Sequence, residues 1–150
     1  MATIHGFDFP DDLHYLLQHD TWARRDADGI VTVGITPLGA HISGEFIEFM
    51  PKPVASSIER ERSLGLLEMS KVIRAVRSPV GGTIVETNTE ARKRPGVINT
   101  DPYGDGWLVR LRPNDWDGDI SSLVTGDVIP AAVEAYMNLL AETFGEAPPP

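Results

Sequence analysis

Leu64-Gly65-Leu66-Leu67-Glu68-Met69-Ser70-Lys71-Val72-Ile73-Arg74-Ala75-Val76 is the stretch whose reading decides the fold. Apolar residues fill both ends, and the polar pair Ser70-Lys71 divides them. The pattern reads as two buried strands, 64–68 and 72–77, joined as a hairpin. Lys71 is the only lysine between Lys52 and Lys93. The hairpin puts its amine in solvent at the end of a stiff support. Most tip lysines are solubilising charges, but one held this way can also carry a covalent cofactor.

The chain on either side of the hairpin is punctuated in the same style. Downstream, Ser78-Pro79-Val80-Gly81-Gly82 is a turn and 83–87 a strand. A helix over 89–94 ends at Pro95-Gly96. Dense turn chemistry in Asp101-Pro102-Tyr103-Gly104-Asp105-Gly106 precedes a strand at 107–111. Upstream, strands at 22–25 and 30–36 flank the hairpin signal Asp28-Gly29. One or two helical turns over 37–43 end near Gly44, and a strand at 45–50 stops at Pro51-Lys52-Pro53. Phe9-Pro10-Asp11-Asp12 before Leu13, Tyr15, Leu16 and Leu17 predicts a short N-terminal helix opening at Pro10, since proline and aspartate suit a first turn. Val133, Tyr136, Met137, Leu140 and Phe144 recur on one face of a C-terminal helix over 130–144, and Pro148-Pro149-Pro150 reads as a frayed tail. Short strands with frequent turns predict a mainly β fold, a small barrel or sandwich with short helices. No linker divides the chain, so the expectation is one domain over 1–150, with its barrel core at about 20–112.

Composition narrows the function. A formal net charge of −9 argues against nucleic acid or an anionic membrane as partner, because both need a basic face. A partner with a basic patch suits it. There are no cysteines, so the chain has no thiolate nucleophile, disulfide or Cys-ligated zinc, and any sulfur redox chemistry must come from an added group. The acidic first residues lack the apolar core of a secretory signal, and no stretch has the apolar length of a membrane span. A bacterial cytoplasmic protein is the expectation.

Other chemistry candidates are weak. His5, His14, His19 and His41 have no metal spacing. Asp115-Trp116-Asp117-Gly118-Asp119 begins like a calcium loop, but Ile120 stands where the loop needs glycine and Gly126 where it needs glutamate, leaving an acidic turn. Gly81-Gly82 follows a proline and enters a strand, which makes it a turn and not a phosphate cradle. No nucleophile and base set is visible, so an independent enzyme is not expected.

From Glu68 onward the chain resembles the H protein of the glycine cleavage system, a lipoyl carrier. That family's Glu-Ser-Val-Lys-Ala tip corresponds to Glu68-Met69-Ser70-Lys71-Val72, and its Ser-Pro-Val-Ser-Gly to Ser78-Pro79-Val80-Gly81-Gly82. A strand ending in Asn88 follows, then Asn99-Thr100-Asp101-Pro102-Tyr103-Gly104-Asp105-Gly106-Trp107-Leu108, all without a gap. Val31-Thr32-Val33-Gly34-Ile35-Thr36 and Gly44-Glu45 match upstream. The resemblance covers roughly residues 20 to 115. It implies a lipoyl-type barrel–sandwich fold, lipoate attached covalently to Lys71, and Glu68 as a recognition residue for the lipoylation enzyme.

The departures are informative. Trp22 follows Asp20-Thr21 where the family has His-x-Trp, and the return arm carries Ile73, Arg74 and Arg77 where the family has small or acidic residues. These features, with the N-terminal segment and long C-terminal helix, resemble the lipoate-binding proteins linked to heterodisulfide-reductase-like sulfur oxidation. That branch is the expectation, with a heterodisulfide-reductase-like complex as partner. The alternative is the glycine cleavage H protein itself, carrying an aminomethyl group among glycine decarboxylase, aminomethyltransferase and dihydrolipoamide dehydrogenase. A further alternative is an unmodified binding module of the same fold.

Overall fold

A computed structural model describes residues 1–145; the expectation for Pro148-Pro149-Pro150 lies outside the described residues. Strands β1 (Ala2–Ile4) and β2 (Phe7–Phe9) form a hairpin of their own. A six-stranded antiparallel sheet contains β3 (His14–Leu16), β4 (Thr21–Arg25), β5 (Val31–Ile35), β7 (Ser57–Ile58), β10 (Gly82–Thr87) and β11 (Val109–Pro113) in the order β3-β4-β5-β11-β10-β7. The third sheet has three strands, β6 (Glu48–Pro51), β8 (Ser63–Glu68) and β9 (Ile73–Arg77), with β8 central. Helices α1 (Pro37–Ser43), α2 (Thr89–Lys93), α3 (Gly96–Thr100), α4 (Trp116–Ile120) and α5 (Ile129–Phe144) complete the fold.

The two larger sheets close on one core. Val31, Val33, Ile35 and Leu111 come from the first sheet; Phe49, Leu67 and Val76 come from the second. The arrangement is a sandwich, and the described residues contain no closed barrel. A second core lies under the N-terminal hairpin, where Phe9, Tyr15, Trp22 and Leu38 meet Ile129 and Val133 of α5. The packed face of α5 is Ile129, Ala132, Val133, Tyr136 and Met137. Phe144, expected on that face, is 82% exposed because the helix outruns the surface it packs on.

The N-terminal helical turn expected at Pro10 is not there. The Pro10 carbonyl accepts from the Tyr15 hydroxyl at 2.8 Å, and residues 14–16 are extended. Leu16 enters the main core while Leu13, Tyr15 and Leu17 enter the second. An amphipathic helix buries one stripe, whereas a strand between two cores buries both faces, so the apolar cluster favours the strand. One 3-10 turn follows at Leu17–His19. The preceding hairpin turns at His5-Gly6, where both φ angles are positive (51° and 86°), the geometry that joins two-residue hairpins.

Local chemistry accounts for most other boundaries. Thr36 caps α1 by accepting the Gly39 N–H at 3.0 Å, Pro37 opens the helix, and Gly44 ends it at φ +81°. Pro95-Gly96 ends α2 and also starts α3, which the pattern alone concealed. The expected acidic turn at 115–119 is partly the helix α4, capped by the Asp115 carboxylate on the Gly118 N–H.

Asn88 performs three tasks at once. Its Oδ1 accepts from the N–H groups of Glu90 and Ala91, and its Nδ2 donates to the carbonyls of Asp105 and Trp107 at 2.8 and 2.6 Å. We expect Asn88→Ala to cost about 2–3 kcal/mol, summing a lost cap and two partly buried hydrogen bonds to backbone carbonyls. Asn88→Asp keeps the cap and should fall between it and the parent. Urea midpoints rank the three proteins; equal midpoints for alanine and parent would refute the assignment.

Candidate functional site

The hairpin over residues 63–77 is formed as its sequence implies. In β8 and β9, Leu66 faces Ala75, Leu67 faces Arg74, and Glu68 faces Ile73. The Met69 N–H closes the tip by donating to the Val72 carbonyl at 2.8 Å. Ser70 and Lys71 are the two central residues, and neither has a positive φ. Lys71 is exposed, and among the described residues it has no hydrogen bond or ion pair. An exposed ammonium with no partner among the described residues, at the end of a three-stranded support, is accessible to chemistry from solvent.

Only one face of the support is buried, which corrects the expectation of two buried strands. Leu64, Leu67 and Val76 point into the main core. Leu66, Val72 and Ile73 are 39%, 58% and 56% exposed, on the outer face and at the tip. Glu68 is half-buried at the end of β8, three residues before Lys71. Its carbonyl accepts the Ile47 N–H at 2.7 Å, and Glu48 of β6 lies opposite it in register.

Sequence reasoning singled out Asp20 and Arg74 as departures from a pattern without seeing that they meet. The Arg74 guanidinium lies 3.6 Å from the Asp20 carboxylate. It also donates to Ser43 Oγ and to the His19 carbonyl, both at 3.1 Å. Asp20 is 7% exposed and sits at φ +60°, and its other oxygen accepts the Tyr136 hydroxyl at 2.9 Å. Burial raises the Asp20 pKa, an effect that Arg74 and Tyr136 oppose. The same burial, with Arg77 and Arg74 nearby, lowers that of His19. Nothing in the local pattern around Asp20 could have revealed the contact, because its partners are 54 and 116 positions away (74 − 20 and 136 − 20).

The motif residues downstream of the hairpin hold the loop that closes over the core. Asn99 accepts the Phe46 N–H at 3.0 Å and donates to the Gly44 carbonyl at 2.8 Å. Asp101 accepts the Asp105 N–H at 2.8 Å. A Cβ at Gly106 would stand 2.5 Å from the Val97 carbonyl oxygen, so only glycine allows the turn to close there. Gly81, read as a turn residue, donates its N–H to Asp119 at 2.8 Å. His5 pairs with Glu134 and His14 packs on Trp116. The four histidines are dispersed, and no group of three or more metal-ligating side chains occurs among the described residues.

Comparison with known proteins agrees with the fold. The family model described as "Glycine cleavage H-protein" matches residues 13–136. Glycine cleavage system H protein 2 of Aquifex aeolicus is 33% identical over 141 residues, covering 94% of this chain and 88% of its own. The glycine cleavage system H protein of Alkalilimnicola ehrlichii is 34% identical over 133 residues, covering 89% and 95%. Among solved structures, a glycine cleavage system H protein from Mycobacterium marinum superposes with a TM-score of 0.72 at 30% identity, covering 85% of this chain and 99% of that one. The chain belongs to the glycine cleavage H-protein family.

Proposed function

We propose that the chain is one carrier domain over 1–150 that bears lipoate on the Nζ of Lys71 and serves as the H protein of a glycine cleavage system. In that role it carries the aminomethyl group from glycine decarboxylase to aminomethyltransferase, and dihydrolipoamide dehydrogenase restores the oxidised form. Members of the family are carriers that hold lipoate covalently on a lysine. The observation that carries the assignment is the exposed Lys71 amine at the end of the hairpin, which has no partner among the described residues.

The residues present fit the group. The free amine can be acylated, and acylation removes its charge. The tip closed by Met69 and Val72 fixes the anchor point, while the core contacts of Leu64, Leu67 and Val76 keep β8 and β9 from yielding. Glu68, three residues before the acceptor, is placed to be read by the lipoylation enzyme. When bound, lipoate supplies thiol–disulfide exchange, the chemistry this cysteine-free chain lacks. Tethering raises the effective concentration of the cargo, and the net charge of −9 steers the carrier toward basic patches on its partners. No helix of the described residues is long and apolar enough to cross a membrane, which fits a carrier working in the cytoplasm.

The names of the relatives favour glycine cleavage over the sulfur-oxidation branch. Service to a heterodisulfide-reductase-like complex is the second reading. It is supported by Ile73, Arg74 and Arg77 on the return arm, and by relatives numbered 2, 3 and 5 within one organism, a set large enough for more than one task. Reconstituted glycine decarboxylation with protein whose lipoylation is verified by intact mass separates the two. Robust turnover removes the second reading, and verified lipoylation without turnover removes the first. Failure of a competent lipoylation system to modify the wild type leaves only the unmodified binding module.

A further inference from the structure

We propose that Arg74 is the positioning residue of the carrier hairpin, with Asp20 as its fixed counter-charge and the C-terminal helix, through Tyr136, as the brace that holds Asp20 in place. The functional meaning of this rests on Lys71 as the attachment point; the mechanical relay does not.

β9 is an edge strand. It pairs with β8 alone, so one side of the hairpin has no ladder to hold it. Thr21 Oγ1 donates to the Arg77 carbonyl at 3.1 Å at the base of the strand, and Arg74, three residues after Lys71, supplies the restraint nearer the tip. Its guanidinium reaches the His19 carbonyl before β4, Ser43 at the end of α1, and the Asp20 carboxylate. Three contacts from one planar fork fix a direction as well as a distance, which a single lysine charge cannot do.

Asp20 is held from every side. Its N–H donates to the Leu17 carbonyl at 3.0 Å, and its carbonyl accepts the Thr36 N–H at 2.8 Å. A side chain at Gly39 would collide with the Asp20 Cβ, so α1 closes over it. One carboxylate oxygen faces Arg74 and the other takes the Tyr136 hydroxyl. Tyr136 lies on the packed face of α5, whose Ile129 and Val133 are fully buried in the second core. The relay therefore runs from that core through a hydroxyl, a buried carboxylate and a guanidinium to the strand beside Lys71. A buried carboxylate left with one partner is costly, so removing either end should loosen the other.

The test is residue-resolved amide exchange on the unmodified protein, followed at Met69, whose N–H closes the tip, and at Ile47, which donates to Glu68. We expect Arg74→Ala to speed exchange at both roughly tenfold. Tyr136→Phe, which removes the hydroxyl bonded to Asp20 and no hydrogen bond to the hairpin itself, should speed the same amides roughly threefold. The double variant should exchange no faster than Arg74→Ala alone, because both changes break one relay. Ile120→Val, a mild change on α4, which carries no residue of the relay and packs on the other core, should leave the tip unchanged. Wild-type exchange at Met69 in Arg74→Ala, or a Tyr136→Phe effect confined to α5, overturns the proposal. If Arg74→Ala fails to fold, Tyr136→Phe decides alone. Intact mass of each variant after co-expression with a lipoylation system is read separately: an unmodified wild type would sink the Lys71 assignment and leave the exchange result standing.

Discussion

Lys71→Arg remains at the mass of the bare polypeptide after co-expression with a lipoylation system, while the parent gains one lipoyl group. Guanidinium keeps the charge but cannot form the amide, so the substitution removes the chemistry and leaves the electrostatics. Because Lys71 is exposed with no partner among the described residues, the change should shift stability by less than about 0.5 kcal/mol. Carrier activity with any partner should fall to background. The chain has three lysines, and the other two, Lys52 and Lys93, are exposed but not at the hairpin tip. An adduct surviving in Lys71→Arg would have to move to one of them, and peptide mapping that found it there would refute the assignment.

Trp22→Ala has the largest expected effect on stability. The indole is fully buried in the second core, its Nε1 donates to the Ile35 carbonyl at 3.0 Å, and its ring lies 5.7 Å from that of Tyr103. Gly34 faces it across the β4–β5 ladder, where a Cβ would stand 2.5 Å from the ring. Truncation should cost about 3–5 kcal/mol, a large share of the roughly 5–15 kcal/mol that holds a typical domain together. Trp22→Phe keeps much of the packing, leaves the Ile35 carbonyl unpaired, and should cost about 1–3 kcal/mol. Urea unfolding of both variants measures the difference; a loss below about 1.5 kcal/mol for alanine would mean that the site collapses around the cavity.

The features of the candidate site that the sequence displayed are local ones. Two strands around Ser70-Lys71 follow from apolar patterning, and the boundaries of α1 follow from Thr36-Pro37 at one end and Gly44 at the other. The motifs at Asn88, Asn99 and Asp101 were visible as residues, and the structure supplies their reason, since each ties backbone groups of a loop in place. Periodicity failed where an element meets two surfaces or outruns one. The segment at 13–17 looked helical because both faces of a strand are buried there, and Phe144 looked buried because the helical pattern continues past the surface that α5 covers.

By itself the sequence determined that this chain is a mainly β protein presenting one lysine on a hairpin tip, because strand patterning, turn residues and a polar break act over a few neighbouring positions. Tertiary structure alone decided what steadies that tip. Asp20, Arg74 and Tyr136 lie far apart along the chain, and a buried carboxylate acquires its partners only when folding brings distant side chains within hydrogen-bonding range.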